Sequence, residues 1–162
     1  MIRPMTIEDI EKVLDIFNDA IINTTAAYHV EPQTLEEKRQ WFLAKQKVND
    51  PMFVYEENGE VIGFVTYSQF RPYEGYKYSM EHSVYVDKNH HGKGIGKILL
   101  QKIIDEAKIR GVKTLIAVID SENIGSIKMH EKFGFYFAGR LKNVGYKFDK
   151  WLDIVYYQLD IE

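Results

Sequence analysis

Residues 90–97 read His-His-Gly-Lys-Gly-Ile-Gly-Lys, and an apolar helical repeat, Ile95, Ile98, Leu99, Ile103 and Ala107, begins inside that stretch. Gly92, Gly94 and Gly96 let a backbone come close to a ligand. Amides at a helix N-terminus point outward, and the helix dipole adds about half a positive charge there. Lys93 and Lys97 add whole charges, and Ile95 turns the chain into the helix. A diphosphate suits this arrangement. A P-loop does not: His91 stands where its first glycine belongs, and Ile98 follows Lys97 in place of Ser or Thr. The spacing GxGxG also departs from the GxGxxG of dinucleotide sites.

Two further constellations carry chemistry. Glu81 lies in the run SMEHSVYV, just before the loop. A carboxylate in a partly apolar strand can have a raised pKa and accept a proton; the alternative is a solvent-facing residue or a partner for Lys77. Asn123, Ser126, Ile127 and His130 fall on one helical face. Polar groups on an inward face need partners, and histidine titrates near neutrality. Taken singly, a helix-capping Asn and a surface His are the alternatives. Arg71 is the natural fork for a carboxylate. Tyr73, Tyr76 and Tyr28 are candidate pocket walls, and His82 either lines the pocket or packs within its strand.

Metal chemistry finds little support. His130-Glu131 begins like HExxH, but Gly134 takes the place of the second histidine. His90-His91 has no matching ligand pair, so no metal is assigned. The absence of cysteine removes disulfides, thiolate ligands and a cysteine nucleophile.

Around these residues the periodicity places alternating elements. Ile2 to Met5 is a short strand. Thr6 with Asp9, and Thr34 with Glu37, have capping-box spacing and open two helices separated by the loop NTTAAYHVEPQ. Met52–Tyr55 and Val61–Tyr67 are strands joined through Asn58-Gly59, a hairpin signal. A polar aromatic loop leads to SMEHSVYV. After the glycine loop and its helix, which Gly111 ends, TLIAVID is a buried strand. Asn123–Phe133 is a short helix stopped by Gly134. Two strands close the chain, about 135–144 and 152–160, with a turn expected around Gly145. The order β-α-α-β-β-β-α-β-α-β-β predicts one α/β domain over 1–162 with a mixed sheet.

A length of 162 residues, 45% hydrophobic and 28% charged, fits one globular core. The net charge of -3 disfavours a nucleic-acid partner. With no apolar run long enough to span a bilayer and no signal-peptide pattern, a cytoplasmic protein without membrane association is expected.

A strand, then x-x-Gly-x-Gly, then a helix resembles the pantetheine-pyrophosphate loop of the GNAT superfamily of N-acetyltransferases, with His91 in the place usually held by Gln or Arg. EHSVYVDKNHHGKGIGKILL and SENIGSIKMHEKFGF together resemble the phosphinothricin and methionine-sulfoximine acetyltransferase branch, whose members acetylate the α-amine of small amino acids or their analogues. FRPYEGYKYSMEHSVYV resembles the substrate loop of that branch, and KFDKWLDIVYYQLDI its C-terminal strand. The resemblance implies the GNAT fold, acetyl-CoA as cofactor, and direct attack by a small-molecule amine in a ternary complex. It implies Glu81 as base and His130 as acid, in the place where many members carry tyrosine. Asn123 would bond the cofactor or substrate, with Ser126 beside the pantetheine arm. The amides of Val84, Tyr85 and Val86 would hold the thioester and pantetheine where a bulge splays the strand. Tyr73 and Lys77 occupy places for a second arginine of the branch, and a homodimer is implied.

The acceptor class remains open at this point. A protein N-terminus, a polyamine or an aminoglycoside would use the same cofactor, and a coenzyme-sensing module would bind it without turnover. Arg71 favours a carboxylated acceptor; Glu81 and His130 argue against a sensor.

Overall fold

Side-chain caps fix where the first two helices start. Thr6 opens a 3-10 turn, Ile7–Asp9, and its amide donates to Asp9 Oδ2 at 2.8 Å. That turn runs into α1 (Ile10–Asn23). Thr34 Oγ1 accepts from the Glu37 amide at 3.1 Å, Glu37 Oε1 accepts from the Thr34 amide at 3.2 Å, and α2 (Leu35–Lys47) follows. The computed structural model describes residues 1–162. Its other elements are β1 (Ile2–Pro4), β2 (Met52–Glu57), β3 (Glu60–Gln69), β4 (Ser79–Val86), α3 (Ile95–Ile109), β5 (Thr114–Asp120), α4 (Ile124–Lys132), β6 (Tyr136–Lys147) and β7 (Lys150–Asp160). The element order is the one the periodicity predicts.

The strands form one seven-stranded sheet, ordered β1-β2-β3-β4-β5-β7-β6. Only β4 and β5 pair in parallel; the other neighbours are antiparallel. Each face carries its own core. On one, α1 buries Ile10, Val13, Ile16, Phe17 and Ile21 against Val54, Val61 and Phe64 of the sheet. On the other, α3 buries Leu99, Leu100, Ile103 and Ile104 against Phe53, Val65 and Leu115. Each such side chain contributes about 1.5–3 kcal/mol relative to exposure.

The last hairpin differs from its expected form. β6 runs on through Gly145 to Lys147, and the turn lies at Phe148-Asp149, both with left-handed φ of 53° and 57°. Gly145 is instead a site of close approach: a Cβ there would lie 2.5 Å from the Tyr28 ring. The glycine admits the loop between α1 and α2 onto β6. Lys147 Nζ, from the same strand, donates to the Thr24 carbonyl at 2.8 Å and the Ala27 carbonyl at 2.6 Å.

Candidate active site

The site begins where the two parallel strands part. β4 and β5 pair only from Ser79 opposite Thr114 to Glu81 opposite Ile116. Past that point β5 stays with β7, out to Asp120 opposite Ile154. The β3–β4 register, meanwhile, runs without a shift from Gln69 opposite Met80 to Gly63 opposite Val86. The opening thus comes from the departure of β5, and no bulge interrupts β4 against β3. Alternation along β4 then assigns its amides. The Asp87 amide donates to the Ile62 carbonyl, and the Ser79 carbonyl accepts from the Phe70 amide, so odd-numbered residues bond to β3. Tyr85 follows them. Val84 and Val86 point their main-chain groups into the gap, and the Val86 carbonyl there accepts from His91 Nε2 at 2.9 Å.

The glycine loop lies at the end of this strand. Gly92 and Gly94 both have φ of 80°, which a side chain rarely tolerates, and Gly94 caps α3 with no side-chain hydrogen bond. The Ile98 amide is the one that bonds back to the Gly94 carbonyl. The amides of Ile95, Gly96 and Lys97 precede that bond and have no acceptor within the helix. Lys93 and Lys97 are exposed beside them, while Ile95 anchors the turn in the core. A Cβ on Gly96 would meet Met129 Sδ of α4 at 3.4 Å. The loop therefore offers main-chain donors to an anion, and two outward amides of β4 lead from it into the gap.

A cleft of about 660 Å³ fills the gap and reaches under α1 and α2. Glu81, His82, Val84, Tyr85, Asn123, Ser126, His130 and Tyr28 all line it, drawn from β4, α4 and the α1–α2 loop. Glu81 is half-buried, and desolvation raises its carboxyl pKa with no donor to lower it. Tyr85, on the same face of β4, is pushed up to about 12 by burial and by the Glu81 charge. Its ring stacks on Phe64 at 5.4 Å. Tyr28 O–H donates to the Asp153 carbonyl at 3.2 Å, and burial with the nearby Asp120 carboxylate raises it to about 12.

Asn123 caps α4, its Oδ1 accepting from the Ser126 amide at 3.2 Å. The Ser126 carbonyl lies 2.7 Å from His130 Nδ1. A carbonyl only accepts, so Nδ1 carries the proton of the neutral ring and Nε2 is an acceptor. His130 Nε2 lies 2.9 Å from His82 Nε2, which must therefore be the donor. His82 Nδ1 is left as a buried acceptor without a partner. Burial lowers both pKa values, that of His82 to about 3 with a further contribution from His130. An acid role for His130 requires protonating this ring against its desolvation.

Arg71, Tyr73 and Tyr76 lie outside the cleft lining. Gln69 Nε2 fastens their loop by donating to the carbonyls of Arg71 at 2.7 Å and Tyr73 at 2.8 Å, and both side chains are exposed. Tyr76 packs on Phe70 at 6.1 Å, and Phe70 on Tyr156 at 6.2 Å. Three charged cleft residues escape sequence reasoning: Lys38, Lys45 and Asp120. The segment LEEKRQWFLAKQK has too weak an apolar stripe to mark its two lysines as inward-facing.

A half-open parallel pair, a glycine-rich helix start with free amides and a carboxylate at the fork suit a site for acyl transfer. The acetyltransferase (GNAT) family model matches residues 12–135, and the chain belongs to that family. An L-methionine sulfoximine/L-methionine sulfone acetyltransferase of Pseudomonas paraeruginosa is 39% identical, over 99% of this chain and 94% of its own. The crystal structure of an N-acetyltransferase from Staphylococcus aureus has 54% identity and a TM-score of 0.99, covering 100% of this chain and 98% of that one. An acetyltransferase structure from Salmonella typhimurium with its cofactor acetyl-CoA has 36% identity and a TM-score of 0.97, covering 100% and 94%. The protein is an acetyl-CoA-dependent N-acetyltransferase of the GNAT type.

Proposed function

We propose that the chain, acting as one domain in the cytoplasm, acetylates the α-amine of a small amino acid or a toxic analogue of the methionine sulfoximine or phosphinothricin kind. Bound acetyl-CoA supplies the activated acetyl group. The amides of residues 92–97 hold its diphosphate, with His91 at the edge of the loop. The Val84 and Val86 amides orient the pantetheine arm and the thioester carbonyl, as oxyanion donors do. Tyr85 contributes its ring to the acceptor side, and Asn123 and Ser126 border the arm. Glu81 takes the proton from the acceptor amine at its carboxylate oxygen, so that the amine attacks directly.

The observation that carries this reading is the unpaired, half-buried Glu81 at the point where β4 and β5 separate. A raised pKa brings a carboxylate closer to the range in which a base works at neutral pH. His130 is proposed as the acid for the departing thiolate. Its tight bonding to Ser126 and His82 makes that assignment separable from a purely positioning role by experiment. Arg71, Tyr73 and Tyr76 are assigned to the rim that an entering amino acid passes. The exposed aromatics of the β6–β7 hairpin, Tyr146, Phe148 and Trp151, are proposed to meet a second copy in a homodimer.

The test is thiol release from acetyl-CoA across methionine sulfone, methionine sulfoximine, phosphinothricin, alanyl peptides, a polyamine and an aminoglycoside. Turnover confined to the amino acids is expected. Preference for peptides or polycations would overturn the acceptor class and leave the cofactor assignment standing.

A further inference from the structure

Two lysines of α2 reach the acceptor cleft, and their surroundings differ. Lys38 and Lys45 are seven residues apart, two turns along one helix face. Both are buried and both line the cleft. Lys45 is compensated: its Nζ donates to Asp50 Oδ2 at 3.1 Å and to the Tyr67 carbonyl at 2.9 Å. Lys38 has no such partner. Its Nζ lies 4.0 Å from the centroid of the Phe17 ring, 3.9 Å from that of Trp41 and 5.9 Å from that of Phe64. Lys38 is only 2% exposed. Burial and the Lys45 charge push it down to about 8, with no carboxylate opposing them. Ring faces compensate a buried ammonium only in part. The three rings also line the cleft, so its open side is the direction from which a counter-charge can arrive.

We propose that Lys38 is a specificity-determining residue whose ammonium binds an oxygen-rich, anionic or strongly polarised group of the acceptor, while Phe17, Trp41 and Phe64 pack on the apolar stem that leads to it. The inference rests on the amino-acid reading above and adds to it an uncompensated cation within the cleft, since Arg71 lies outside. Carboxylate, phosphinate and sulfone share the required chemistry: acceptor oxygens and negative charge or a strong dipole, with no donor to clash with the ammonium. In an amino acid such oxygens come from two places, the α-carboxylate or the end of the side chain.

The experiment compares wild type, Lys38→Met and Lys38→Arg on methionine sulfone, its carboxamide and norleucine. Methionine fills a similar volume and removes the buried charge, and a melting curve checks each fold. Lys38→Met is expected to raise the KM for methionine sulfone at least tenfold and to leave the KM for acetyl-CoA within twofold, with partial recovery in Lys38→Arg. If the α-carboxylate is the ligand, the carboxamide is equally poor in wild type and Lys38→Met. If the side-chain oxygens are, norleucine is the substrate that no longer distinguishes them. A Lys38→Met enzyme that keeps the wild-type KM for all three acceptors overturns the assignment alone. Wild-type enzyme that turns over none of them overturns the amino-acid reading and this inference together.

Discussion

The glycine loop, proposed to hold the diphosphate, is exposed main chain: Gly92 and Gly94 hold left-handed φ, and the amides that follow have no acceptor in the helix. The cleft proposed to take the acceptor is built of side chains: Glu81, His82, His130 and Lys38 come from β4, α4 and α2 and meet only in the fold. Main-chain recognition depends on backbone conformation, and it tolerates changes such as His91 in the first place of the motif. Side-chain recognition depends on desolvation, which raises Glu81 and lowers Lys38 and His82. A substitution in one half should therefore leave the other largely intact.

The largest effect is expected at Glu81. Glu81→Gln keeps the shape and removes the base, so kcat should fall by about 10²–10⁴-fold with coenzyme A affinity unchanged. Steady-state kinetics beside a coenzyme A titration decide it. Gly145→Ala places a methyl group against the Tyr28 ring, 2.5 Å away before any movement. Overpacking of this kind costs about 1–3 kcal/mol. A lower Tm and a raised acceptor KM should appear together, with the KM for acetyl-CoA nearly constant. Gly94→Val forces a β-branched side chain into φ of 80°. A left-handed conformation costs an L-residue about 1–2 kcal/mol, so calorimetry should find coenzyme A bound about tenfold more weakly. Acceptor KM at saturating acetyl-CoA should hold.

A further expectation concerns pH. His82 is held near 3 in the folded protein against an ordinary 6.5. The unfolded chain binds the proton first, so the contribution of neutral His82 is complete above pH 6.5 and is lost progressively as pH falls towards 3. The limiting slope is about 1.4 kcal/mol per pH unit. Urea unfolding of wild type should weaken between pH 6.5 and 4.5 more steeply than that of His82→Phe. Equal slopes would mean that the histidine pair charges in place. For the acid role, His130→Gln should lower kcat across the whole pH range if the ring donates a proton. A change confined to Tm and acceptor KM would make it a positioning residue.

The same division governs what the sequence discloses. Local features are legible: Thr34 with Glu37 marks the start of α2, Asn58-Gly59 turns a hairpin with φ of 53° and 78°, and the glycines announce an anion site. Each is set by neighbours a few residues away. The His82–His130 contact joins residues 48 apart in the chain. Its tautomers follow from a carbonyl that no spacing rule indicates. Lys38 reads as a solvated helix charge, because α2 meets the sheet through lysine stems and aromatic rings and lacks an apolar stripe. The last turn is hidden for another reason. Phe148 and Asp149 adopt left-handed φ without a glycine between them, and the nearby Gly145 serves packing against Tyr28.

The most direct test is a titration of coenzyme A into the Glu81→Gln, Lys38→Met double variant. The account predicts a Kd within twofold of the wild-type value together with loss of turnover on every amino acid tested. A Kd weakened tenfold or more in a normally melting sample would contradict it, because the two halves of the site would then share one set of residues.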